Sequence, residues 1–184
     1  MNKKVFIIAL PEEVNHISSL LSIPIIYSGA GKLNAAIAAY KAFTNGYKEI
    51  INIGSCGSIK HPKGDIIKVG ISFQDIDFTP LCPYGETLFE SNSNEIRFDS
   101  SSLYNCFTTD YFYDHTQEFK YSKDYLNMIS KCDIFDMECF AIAKTCKEYN
   151  MKFSAIINGV SDNGDGSNWK EDCKINLEKI KLII

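Results

Sequence analysis

Phe135 to Gly166 reads FDMECFAIAKTCKEYNMKFSAIINGVSDNGDG, and the rest of the chain is best understood outward from it. Cys139, Phe140, Ile142, Ala143 and Cys146 recur at helical spacing with no Gly or Pro between them, which predicts a helix. Cys132 to Phe135 supplies a strand before it. Lys152 to Val160 is a mostly apolar run of strand length, closed by the turn-forming Ser-Asp-Asn-Gly-Asp-Gly. A β-α-β unit of this kind brings two strand ends to one sheet edge, where open α/β folds bind ligands. Glu138 and Asp162 are therefore expected at the same edge. Two carboxylates placed together are the first chemical signal.

The chain has 184 residues, 45% of them hydrophobic, which suits one globular domain spanning 1–184. A net charge of −4 with both signs interspersed argues against nucleic-acid binding through a basic face. No apolar run approaches the roughly 20 residues that a membrane span needs. Val5 to Leu10 is too short for a signal peptide's core and meets Pro11-Glu12-Glu13, so it reads as a buried first strand. The seven cysteines lack paired short spacings, which points to reduced thiols and a cytoplasmic setting. Cys132, Cys139 and Cys146 lie seven apart, the spacing of a packed face.

In chain order, a second strand over Ile23 to Ser28 opens into Gly29-Ala-Gly31-Lys-Leu-Asn34 and an alanine-rich helix to about Phe43. This is no Walker loop, because Leu33 replaces the Ser or Thr and no earlier Gly stands at the required spacing. Glu49 to Gly54 is a strand running into Ser55-Cys56-Gly57-Ser58, where small residues let backbone N–H groups approach a ligand. Asp65 to Phe73 reads as one strand, Glu95 to Phe98 as a short one, and Tyr104 to Tyr113 as an aromatic one. Lys120 to Ser130 and Trp169 to Ile184 read as helices. Asp162 to Gly166 has the outline of a calcium loop, but Gly164 and Gly166 fall where ligands belong and Lys174 replaces the closing Glu. Neither a metal nor a cofactor is expected.

Asp-Met-Glu138 before a small-residue helix, then Gly-Val-Ser-Asp162 after a strand, resembles the nucleoside phosphorylase and nucleosidase superfamily. The likeness is strongest to the 5′-methylthioadenosine/S-adenosylhomocysteine nucleosidases, with a shortened N-terminal region between the first strand and Gly29. Gly29-x-Gly-Lys32, INIGSCGS from Ile51, QDIDF from Gln74 and Thr109 to Tyr113 fall in the family's order. The resemblance implies a single three-layer α/β/α domain with a mixed central sheet. It implies Asp162 as the acid at base N7 beside Ser161, Glu138 on the ribose hydroxyls with Met137 against the sugar, and Glu13 as the activator of water. Phe112 would stack on the base, with Tyr113 beside it and Ser55, Cys56 and Gly57 forming the loop around the ligand. It also implies a homo-oligomer, at least a dimer.

Breaking an N-glycosidic bond to a purine calls for protonation of the leaving base and stabilisation of a cationic sugar. A partly buried acid, a carboxylate near the oxocarbenium and a base for water meet those needs. The family's phosphorylases hold phosphate with arginines, whose forked donors match that anion. Arg97 is the only arginine here and lies outside the matching motifs, and Asn52 and Asn158 stand at two family arginine positions. Hydrolysis is therefore expected over phosphorolysis. A purine nucleoside phosphorylase with a lysine-built phosphate site, on Lys32 or Lys60, is the alternative. A catalytically idle nucleoside-binding protein is another.

Overall fold

The computed structural model describes residues 3–14, 22–90, 94–164 and 169–174. Its centre is β3, Glu49–Gly57, a nine-residue strand buried along nearly its whole length. β1 (Lys4–Ile8) runs parallel to its first half, and β2 (Ile25–Tyr27) runs parallel to β1. β9 (Lys152–Asp162) runs parallel to β3 on its other side, through register shifts at Asn52/Gly54 and Cys56/Gly57. The expected β-α-β unit forms from β8 (Ile134–Asp136), α3 (Cys139–Glu148) and β9. Its strands are not parallel neighbours, however. β3 separates them, and β8 meets it antiparallel at the single pair Gly57↔Phe135.

Two other strands depart from the sequence reading. The run from Asp65 divides into β4 (Ile66–Lys68) and β5 (Ile71–Gln74). β4 pairs antiparallel with β9, whereas β5 joins β7 and β6. Gly70 sits at the change of partner, where a Cβ would lie 2.4 Å from the Asp99 carbonyl oxygen. β6 is Glu95–Arg97, pairing antiparallel with β5, and β7 is only Asn105–Thr108. The aromatic stretch after Thr108 is loop, so Phe112 and Tyr113 are not on a strand as expected.

The nine-strand mixed sheet is covered on both faces. On one, Val5, Ile7 and Ile50 pack with α1 (Lys32–Thr44) and α3 in one core cluster. α1 turns Ala35, Ala38, Ala39 and Ala42 inward, a spacing that lets its backbone lie close. On the other face lie Phe6, Ile8, Ile51 and Ile53, then an aromatic cluster of Phe107, Tyr113, Tyr125 and Phe135 under α2 (Lys123–Lys131). Successive strand residues feeding opposite cores explain why these strands read as continuous apolar runs. This is the three-layer α/β/α arrangement. The terminal helix is described as α4, Trp169–Asp172, and residues 175–184 lie outside the described residues, as do 15–21 in the shortened N-terminal region. All seven cysteines are free thiols. No described helix is long and apolar enough to cross a membrane.

Candidate active site

A cavity of about 230 Å³ opens where β3, β8 and β9 end. Glu13, Ser55, Cys56, Gly57, Phe112, Tyr113, Met137, Glu138, Ser161 and Asp162 all line it, as do Asp136 and Trp169. Every described residue given a catalytic or substrate-binding role by the resemblance is thus brought together. The side chain of Asn158 lies outside the described residues. Gln74 is in a different place, buried and donating to the Gly85 carbonyl at 3.2 Å and to Thr87 Oγ1 at 3.1 Å.

Glu13 reaches the cavity from a single 3₁₀ turn, Pro11–Glu13, that follows β1. Its Oε2 accepts from the Leu10 N–H at 3.0 Å, which closes that turn. Its Oε1 accepts from the Ser55 N–H at 2.7 Å and the Ser55 hydroxyl at 2.8 Å. With 2% of its surface exposed, burial raises its carboxyl above the usual range while these three donors pull the other way. Three of about four acceptor positions on a carboxylate are then filled, and one on Oε2 is left for a water or ligand.

Glu138 is the residue at the head of α3 and its Oε1 accepts from the Gly31 N–H at 2.8 Å. Gly31 has φ of 97°, a backbone that side-chain-bearing residues rarely adopt, and it turns that N–H toward the carboxylate. Burial, then the neighbouring charges of Asp136 and Glu13, push Glu138 up to about 8. Asp136 was quoted in the sequence without a role, and the structure supplies one. Its Oδ2 accepts from the Cys139 N–H at 2.8 Å at the start of α3, and its Oδ1 accepts from Thr108 Oγ1 at 2.7 Å and the Cys106 thiol at 3.1 Å. A negative charge there suits the helix N-terminus and fixes the step from β8 into α3 that carries Met137 and Glu138. Cys106, Asp136 and Cys139 form the one cluster with metal-ligand proximity among the described residues. Burial raises both thiols, which favours the hydrogen-bonded S–H form over thiolate ligands.

Asp162 ends β9 with 3% exposure. Its Oδ1 accepts from the Gly164 N–H at 2.8 Å, and Ser161 Oγ lies 3.0 Å from Oδ2 and 3.1 Å from the Cys56 carbonyl oxygen. The His115 ring and backbone N–H both hold the Gly164 carbonyl, at 2.8 and 2.7 Å, so this exposed histidine anchors the loop after Asp162. Gly57 brings β8 and β9 together. A Cβ there would lie 1.9 Å from Phe135 Cε2, so only glycine lets Phe135 cross β3 at this point. Phe112 stands half exposed at the mouth, while Tyr113 is buried and donates to Glu118 Oε1 at 2.7 Å.

The charged residues of the lining are Glu13, Asp136, Glu138 and Asp162, all acidic. The lysines weighed for a phosphate site point elsewhere. Lys32 Nζ donates to the Asp75 carbonyl at 2.6 Å and pairs with Asp110 at 3.1 Å, and Lys60 Nζ donates to the Lys131 carbonyl. Arg97 lies on β6, outside the cavity. Such a pocket suits a neutral or cationic ligand with a flat face and hydroxyl donors, and opposes an anion.

No protein-family model matches the chain, and no curated protein matches it by sequence. Solved structures do. The 5′-methylthioadenosine/S-adenosylhomocysteine nucleosidase of Helicobacter pylori superposes with a TM-score of 0.78 at 19% identity, over 93% of this chain and 91% of that one. The futalosine hydrolase of H. pylori gives 0.78 at 19% identity, over 94% and 90%. The nucleosidase of Neisseria meningitidis in complex with methylthio-immucillin-A gives 0.73 at 20% identity, over 92% and 90%. The chain has the nucleoside phosphorylase and nucleosidase fold.

Proposed function

We propose that this protein hydrolyses the N-glycosidic bond of a purine nucleoside of the 5′-methylthioadenosine/S-adenosylhomocysteine type, releasing the free base. The observation that carries this reading is the convergence of Glu13, Glu138 and Asp162 on one cavity with Phe112 at its mouth and no basic side chain among the described residues of its lining. The structural neighbours include proteins named for this reaction, which supports it.

Asp162 is the acid that protonates N7 of the leaving base. The one proton of Ser161 serves either Asp162 or the Cys56 carbonyl. When it turns to the carbonyl, Ser161 Oγ can accept a proton carried on Asp162 Oδ2. Phe112 stacks on the base, Tyr113 flanks it, and Ser55, Cys56 and Gly57 close the cavity behind it. Glu138 accepts from the ribose 2′ and 3′ hydroxyls with Met137 against the sugar. Those donors favour its charged form, and the charge then stabilises the oxocarbenium-like transition state. Glu13 takes a proton from the attacking water at its open Oε2 position. Water, rather than phosphate, is the nucleophile because the described lining offers a phosphate no basic side chain and no forked donor. Asn158 belongs to this site by its place four residues before Asp162.

The protein acts as a homo-oligomer, at least a dimer. Leu33, Ile37 and Tyr40 are exposed at helical spacing on α1, an apolar stripe that a second copy would cover. Light scattering of the wild type and of L33D checks this, and a wild-type monomer contradicts it. The function is tested by free-base release from 5′-methylthioadenosine, S-adenosylhomocysteine, adenosine, inosine and futalosine. Adenine release that Asp162→Asn lowers by about 10²- to 10⁴-fold is the expected result. Release from futalosine alone would move the substrate to that nucleoside, and binding without turnover would favour the idle binder.

A further inference from the structure

Trp169 is the one tryptophan in the chain, and from sequence it is only the first residue of a helix. Its indole Nε1–H donates to Ser55 Oγ at 3.1 Å, from the short α4 that follows the Asp162 loop. Ser55 Oγ in turn donates to Glu13 Oε1 at 2.8 Å.

We propose that Trp169 is a positioning residue for Glu13, fixing the Ser55 hydroxyl so that its proton is committed to the Glu13 carboxylate. An indole N–H can only donate, whereas a hydroxyl rotor can point its one proton in several directions. With the indole occupying a lone pair of Ser55 Oγ, that oxygen is an acceptor on the Trp169 side and its proton is left for Glu13. The hydroxyl and the Ser55 N–H then occupy Oε1 together, and Oε2 is the oxygen that faces the water. The relay ties the segment after Asp162, which carries the acid, to the residue that carries the base. Its link to catalysis rests on the nucleosidase reading above, while the relay itself does not.

Other ionisable groups surround Glu13, and the test has to separate them. Glu12 shares its turn, Cys56 and Glu138 face it from β3 and the head of α3, and Cys173 faces it from beyond α4. Asp136 and Asp162 share the cavity lining.

Because Trp169 is alone, its fluorescence reads this site and nothing else in the protein. The first arm follows emission against pH in the wild type, E13Q and S55A, without any substrate. A wild-type transition that is lost in E13Q and lost or weakened in S55A is the expected result. A transition that persists in E13Q belongs to another carboxyl and overturns the relay, as does a wild-type emission that does not change with pH. The second arm is W169F, which keeps an aromatic ring and removes the N–H. Base release should fall about five-fold, the worth of one neutral hydrogen bond, with the acid limb of the kcat profile moved to higher pH. A uniform loss at every pH would mean that only packing was disturbed, and no positioning role would survive. Circular dichroism on each variant confirms folding. Should the wild type release no base, the nucleosidase reading fails while the fluorescence arm still decides the relay.

Discussion

Replacing Glu138 with Gln measures what the buried carboxylates cost the fold. Burial and the neighbouring Asp136 and Glu13 charges hold Glu138 at about 8, against an ordinary value of 4.5. Below the ordinary value both folded and unfolded chains carry the proton, and the group adds no pH dependence. As pH rises, the unfolded chain ionises first, so stability falls until the folded group ionises near 8. A displacement of that size corresponds to on the order of 5 kcal/mol by pH 9, an upper bound because the charge is shared with Asp136. Gln keeps the shape and an oxygen for the Gly31 N–H, and it never ionises. Chemical denaturation of both proteins at about pH 5 and about pH 9 makes the comparison. E138Q should match the wild type within about 1 kcal/mol at the acid end and exceed it by about 2 kcal/mol or more at the alkaline end. It should also lose base release, since an amide supplies no negative charge to the cationic sugar. A stability difference that is the same at both pH values would refute the assignment of a proton-loaded Glu138 to the folded protein.

Phe112→Ala should raise KM about 5- to 150-fold with a smaller effect on kcat, since stacking on a base contributes roughly 1–3 kcal/mol. Steady-state kinetics on the purified variant decides this, and an unchanged KM would remove Phe112 from the base site. Gly57→Ala should destabilise the protein by about 1–3 kcal/mol or more and push Phe135 into the cavity, because no rotamer of a well-packed ring absorbs so close a contact. Thermal unfolding checks the first effect and ligand binding the second.

Much of the site was legible because its chemistry is local in the chain. Asp-Met-Glu138 and Ser-Asp162 each place an acid beside a strand end, and the register of β3 with β8 and β9 unites them across Gly57. The sequence shows both strand ends but not that β3 lies between them, since pairing partners are a long-range property. The same limit explains β4 and β5. Hydrophobic alternation continues through Gly70, and only the packing of Asp99 and Ser102 against that glycine reveals the break. Asp136 and Trp169 escaped assignment for a different reason. Each acts through hydrogen bonds to other elements, Trp169 to Ser55 and Asp136 to Thr108, Cys106 and the start of α3, and spacing carries no trace of such contacts.

The central claim is that water attacks the sugar in a site closed to phosphate. Base release from 5′-methylthioadenosine should be measured in ¹⁸O-labelled water, with and without inorganic phosphate. Equal rates in both, with the label recovered in the free sugar, are the expected outcome. A strict requirement for phosphate, with a sugar phosphate as the product, would contradict the account and make the protein a phosphorylase.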